Sequence, residues 1–139
     1  MAYADQTVLE DAYGADEIRQ LADRDGIGIA SPEVLARMQA QADDLIDRHL
    51  ASAGYAVPVA DPVPPTIIAC SSAIQRYFLF DDGRPESVID DFKYWMRWLE
   101  QVAAGKVLLQ LPAADVSAVG SPDYAAPDRV FSADTLVDY

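Results

Sequence analysis

What most constrains the fold of this chain is a change of pattern at Pro112. Residues 1–111 carry apolar side chains at helical spacing, and the pattern then stops. The 28 residues from Pro112 to Tyr139 contain three prolines, five aspartates and one arginine. Such a segment is too polar and too interrupted to build a core of its own. It nevertheless holds Val116, Tyr124, Val130, Phe131, Leu136, Val137 and Tyr139, which a merely solvated tail would not need. The expected organisation is a helical domain over 1–111 and an extended C-terminal arm over 112–139, completed by neighbours.

Within the first part, Thr7-Val8-Leu9-Glu10 has capping-box spacing and predicts a short helix ending at Gly14. Asp16 to Ala22 predicts a second, with Ile18 and Leu21 turned inward. Asp23-Arg24-Asp25-Gly26-Ile27-Gly28 reads as a loop. Ser31-Pro32 supplies an N-cap and an N1 proline. The helix it opens should bury Val34, Leu35, Met38, Ala42, Leu45, Ile46 and Leu50 and stop at Gly54. Asp44 and Arg48, four residues apart, are spaced to pair on its outer face.

Ala56 to Pro65 contains four prolines and predicts a stiff, irregular connection. Pro65 to Phe80 is apolar nearly all round, with Arg76 its only charge, which predicts a central buried helix. After Asp81-Asp82-Gly83, Pro85 opens the clearest helix. Val88, Ile89, Phe92, Trp95, Met96, Leu99, Val102 and Ala103 form one stripe along it, and Gly105 ends it. Val107 to Leu111 fits a short extended segment. The fold class expected is therefore all-α, a small bundle of four to five helices with a long, mostly non-helical C-terminal arm.

An apolar fraction of 51% is ample for a core. The formal charge is −13, and the sequence pI is about 4.1. The arm contributes five Asp against one Arg, or −4, which leaves −9 on residues 1–111. Acidity spread in this way opposes binding to nucleic acid or to an anionic membrane, because phosphate binding needs a basic stripe that releases counterions. It favours solubility, and in a repeated assembly it makes a field that repels DNA. One cysteine, Cys70, excludes an internal disulfide or a cysteine zinc site, and its apolar setting predicts a buried inert thiol. No leader-like or membrane-spanning stretch is read, so a soluble protein made in a cytoplasm is expected.

Little in the chain points to chemistry. Asp23, Asp25 and Gly28 occupy positions 1, 3 and 6 of a calcium-loop spacing, but Ile27 and Val34 stand where two further oxygen ligands belong. A structural loop is the expected role, with weak calcium binding the alternative. His49, the single histidine, has no nucleophile partner implied by sequence and reads as a packed or flanking side chain. Asp43-Asp44, Asp81-Asp82 and Asp90-Asp91 all read as solvated charge. No phosphate-cradling glycine loop is present. The expectation is a protein with no catalytic residue, no cofactor and no metal. Tyr94 and Trp98 stand apart: four residues apart and off the centre of the stripe, they fit either a second intramolecular contact or the anchor of a subunit interface. Phe131, Leu136 and Tyr139 of the arm are natural partners for such a surface, and Tyr124 is a further candidate for partner binding.

Several stretches, taken in order, resemble the Mu-like phage head–tail joining proteins. They are Leu21-Ala22-Asp23-Arg24-Asp25-Gly26-Ile27-Gly28 before the helix from Pro32, Tyr55-Ala56-Val57-Pro58-Val59, and Arg97-Trp98-Leu99-Glu100 leading into Ala104-Gly105-Lys106-Val107. The opening Met1-Ala2-Tyr3-Ala4 and the terminal Arg129-Val130-Phe131-Ser132 through Leu136 are similar as well. The sequence departs at Ile27, where related sequences tend to carry an aspartate. The resemblance implies a structural neck protein of a tailed phage or prophage, made in the bacterial host. It would dock as a twelvefold ring below the portal protein, lengthen the DNA channel, let DNA pass without specific binding and present a surface to the next neck or tail-completion protein. It implies no catalytic residues. A different class stays open from the charge alone: an acidic regulator or DNA mimic that occupies a basic site on a host protein.

Overall fold

The computed structural model describes residues 2–114. Five α-helices follow one another: α1 Gln6–Tyr13, α2 Ala15–Ala22, α3 Pro32–Ser52, α4 Pro65–Leu79 and α5 Glu86–Ala103. Among the described residues there is no strand, only an isolated antiparallel bridge between Tyr55 and Ala113. The all-α expectation holds.

Helix α4 is the axis. It packs on both α3 and α5, which also touch each other, while the α1–α2 hairpin lies against α4 and α3. Two apolar clusters result. The larger joins Ala42, Ile46 and Leu50 of α3, Ile67, Cys70 and Ile74 of α4, and Leu99 and Val102 of α5. The smaller joins Leu9 of α1, Ile18 and Ala22 of α2, Val34 and Leu35 of α3, and Leu79 of α4. Each fully buried Leu or Ile contributes about 1.5–3 kcal/mol relative to exposure, so both clusters matter to stability.

Helix ends follow local chemistry. Ser31 caps α3, accepting from Val34 N with Pro32 in the first turn, as its sequence predicts. The first helix differs: Asp5 is its N-cap, its Oδ1 accepting from Val8 N at 3.0 Å, and Thr7 lies inside the first turn. Aspartate two residues upstream starts the helix earlier, because its charged carboxylate caps the Val8 N–H and suits the positive end of the helix dipole. Val107–Leu111 is not a strand. It packs along the larger cluster, with Leu109 N donating to the Tyr55 hydroxyl at 2.9 Å. The chain stays pinned beyond Pro112: Ala56 N donates to Pro112 O at 3.0 Å and Ala114 N to Gly54 O at 2.8 Å.

A hydrogen-bonded hub sits beside the larger cluster, and composition gave no sign of it. The Tyr3 hydroxyl donates to Asp47 Oδ1 and accepts from Val59 N at 2.9 Å. Buried Gln75 donates to Ala4 O at 2.9 Å and to Ser71 Oγ at 3.0 Å, and Ser71 Oγ donates to Asp43 Oδ1 at 3.1 Å. Asp43 also accepts from Tyr3 N at 3.3 Å. Asp43 is therefore not the solvated charge its twin Asp44 is; Asp44 pairs outward with Arg48 at 2.6 Å. Adjacent residues point about 100° apart on a helix, so one carboxylate of the pair faces the hub and the other faces water.

Burial raises the Asp43 carboxyl above its ordinary value, against the opposing pull of the Tyr3 N–H and Ser71 hydroxyl. It raises the Tyr3 phenol further, helped by the Asp47 carboxylate, and pushes the Cys70 thiol up to about 12. Both of these last groups hold their protons more tightly folded than unfolded. Their contribution to stability is complete below the unfolded values, 9.0 for the thiol and 10.0 for the phenol, and is lost as pH rises past them. Stability should accordingly fall steadily above about pH 9. Tyr3→Phe should cost about 1–3 kcal/mol at neutral pH and flatten the alkaline limb, read by urea unfolding across pH. A limb as steep in the variant as in the parent would remove Tyr3 as its source.

Candidate partner-binding site

The stripe of α5 is wider than the surface that the other described residues cover. Val88, Leu99 and Val102 are buried, whereas Phe92, Trp95, Met96 and Trp98 are only half-buried. Toward α4 the stripe closes well: Phe92 stacks on Tyr77 at 3.8 Å between centroids and 10° between planes, and the Arg84 guanidinium lies 4.2 Å from the opposing Tyr77 ring centroid. Along the flank of the stripe, Trp95 meets Tyr94 edge-on at 5.2 Å and Trp98 edge-on at 5.4 Å. Tyr94 is 61% exposed.

The structure thus brings Tyr94 and Trp98 onto one flank, as their spacing implies, but joins them through Trp95. It also separates their roles. Trp98 packs against the larger cluster, and Tyr94 stands outside it. Trp95 was hidden in the sequence by its place in the middle of the apolar stripe. Tyr124, Phe131, Leu136 and Tyr139 lie outside the described residues.

Beside Trp95 runs an open, mainly apolar groove of about 370 Å³ between α1, α4 and α5. Ala12 and Tyr13 of α1, Ile68 and Ala69 of α4, and Asp91 and Trp95 of α5 are among its walls. Sequence predicts a uniformly buried α4, but Ala69 is exposed and Ile68 only half-buried because the short α1–α2 hairpin does not span the helix. Tyr13 is held by Arg76, whose guanidinium lies 4.3 Å from the ring centroid and pairs with Glu17 at 2.8 Å. Burial raises the Tyr13 phenol even so; Arg76 opposes the shift while Asp91 and Glu17 assist it.

The other candidate residues take structural roles. Asp23 accepts from Ile27 N at 3.0 Å and from Gly28 N at 2.7 Å, so both its oxygens close the loop. Arg24 ties that loop to the end of α4 through Leu79 O at 3.0 Å and an ion pair with Asp81. Gly26 and Gly28 adopt φ of 69° and 82°, which only glycine takes without strain. Ile27, in the position of a missing ligand, is 69% exposed, and Ile29 is 66% exposed. His49 Nδ1 donates to Leu45 O at 2.8 Å, a turn back along its own helix. Among the described residues no three His, Cys, Asp or Glu side chains gather as a metal site, and no helix is long and apolar enough to cross a membrane.

The bundle and its comparison with known families define a small all-α bacteriophage protein of the structural or morphogenetic class. The chain belongs to the bacteriophage Mu Gp36 family, whose model matches residues 3–124. The resemblance read from its short motifs is thereby established at the level of family. A search of curated proteins gives no match.

Two outcomes follow from these placements. Tyr94→Ala should change stability by no more than about 0.5 kcal/mol, whereas Trp98→Ala should cost roughly 2 kcal/mol through lost packing. Urea unfolding of the two variants checks this, and equal losses would place Tyr94 in the fold. Asp23→Ala should cost about 1 kcal/mol, as loss of a cap does, and equally in calcium and in chelator. A loss seen only with calcium would mean a metal role.

Proposed function

We propose that this protein is the head–tail adaptor of its particle. In this reading it docks below the portal protein as a ring, in twelve copies, lengthens the DNA channel and offers the next neck or tail-completion protein its attachment surface. It works by contact alone, with no catalysis, cofactor or metal. The observation that carries the reading is the Tyr94–Trp95–Trp98 strip beside an apolar groove. Aromatic side chains of this kind anchor protein interfaces at their desolvated centres.

Charge supports the reading. A chain of formal charge −13 does not hold DNA by counterion release, so a genome slides through a channel of such subunits without sticking. Ring contacts join unlike faces of successive subunits. An aromatic strip on one face supplies the apolar part of such a contact, and the arm, with Tyr124, Phe131, Leu136 and Tyr139, adds area to it. Like-charged subunits repel less when screened, so assembly should gain from salt up to physiological strength.

The decisive experiment is genetic. Without this protein, the phage should fill heads with DNA and make separate tails, and electron microscopy should show the two unjoined. Restoring the wild-type chain should restore joining, and restoring Tyr94→Ala should do so less well. Tailed, infectious particles formed in its absence would sink the adaptor reading.

A further inference from the structure

The groove between α1, α4 and α5 has a ready occupant in the same chain. Its walls are apolar at Ala12, Ile68, Ala69 and Trp95, and it carries one carboxylate, that of exposed Asp91. An occupant should therefore be apolar, with a cation beside the apolar residue. Beyond Lys106 the chain has a single cation, Arg129, and it immediately precedes Val130-Phe131. Every other charged side chain after Pro112 is an aspartate, which the acidic domain repels. Charge complementarity thus picks out one short stretch of the arm.

Length and point of departure agree. The arm leaves where Ala114 is bonded to Gly54, at the end of the bundle where α3 stops and α4 begins. Pro65, the first residue of α4, lies on the groove, so the groove opens at that same end. Phe131 is 17 residues beyond Ala114, and such a length spans up to about 55 Å. That exceeds the reach needed across a domain of this size, whose radius of gyration is about 13 Å. Tethering at this length gives an effective concentration in the millimolar range, well above any second copy in dilute solution. The favoured occupant is therefore the chain's own arm.

We infer that, in the free protein, Arg129-Val130-Phe131 seats in the groove of its own chain, with Phe131 against Trp95 and Arg129 on Asp91. The groove and the strip share Trp95, so the seated arm covers one edge of the surface that carries the proposed function. The inference stands on the groove and the arm alone and does not need the adaptor reading.

Cross-linking in the full-length chain tests it. In a Cys70→Ala background, Ala69→Cys with Val130→Cys places one thiol in the groove and one on the arm. A short bismaleimide should link them within one chain, giving a faster-migrating monomer on a denaturing gel. Ala51→Cys with Val130→Cys is the control, since Ala51 is exposed near the point of departure and outside the groove. Adding Arg129→Glu should slow the groove link by about two- to fivefold, the range of an exposed ion pair, and Asp91→Arg should restore it. Phe131→Ala in the otherwise native chain should red-shift the tryptophan emission. Links formed only between chains, equal linking at Ala51, no rescue by the charge swap, or an unchanged emission spectrum would each overturn the assignment.

Discussion

The phenol of Tyr3 is the constraint on which the rest of the domain depends. From one position it holds the N-terminus, α3 through Asp47 and the proline-rich connection through Val59. Gln75 and Ser71 extend the same network into α4, and Asp43 closes it. These groups are costly to bury unsatisfied, so they fix how deep the N-terminus sits and how α3 and α4 are rotated against each other. The apolar clusters supply most of the stabilising free energy, but greasy contacts tolerate sliding. The hub selects one register among those that the clusters allow.

That register leaves α4 with two characters. Its inner face is enclosed by α3, α5 and the hub, and Cys70 is sealed there. Its outer face is only partly covered, since α1 has 8 residues against 15 in α4. The groove is the remainder that the described helices leave open. Its presence beside Trp95 follows from the shortness of the hairpin and the width of the α5 stripe together, and neither alone would produce it.

Much of this was legible in sequence. All five helices, the Ser31-Pro32 start, the irregular proline connection and the central place of α4 follow from spacing and capping. The signals are local and strong there: proline fixes φ, serine caps, and apolar residues recur every three or four positions. The unread parts are those in which residues far apart in the chain meet. Asp43 and Asp44 look alike until the Ser71 hydroxyl faces one of them. Trp95 packs against the larger cluster as its place in the stripe predicts, but periodicity does not show that it also lines the groove. Asp5 is masked by Thr7 because a capping-box spacing is a stronger sequence signal than a single aspartate. The Tyr94–Trp98 flank shows in the sequence because its residues depart from the stripe.

The α1–α2 hairpin is fastened by polar contacts at both ends and by the buried Leu9, Ile18 and Ala22 between them. Tyr3 and Ala4 hold its start in the hub, and the Arg24 bonds to Leu79 and Asp81 hold its exit. Between them the polar joint is Arg76 with Glu17, where Arg76 Nε and Glu17 Oε2 are buried with no hydrogen-bond partner among the described residues. Such a pair repays its desolvation poorly. The hairpin is thus a strap whose grip between its buckles is apolar, and lifting it would expose Leu9, Ile18 and Ala22 to water. The groove wall made by α1 is therefore held as firmly as that cluster is packed.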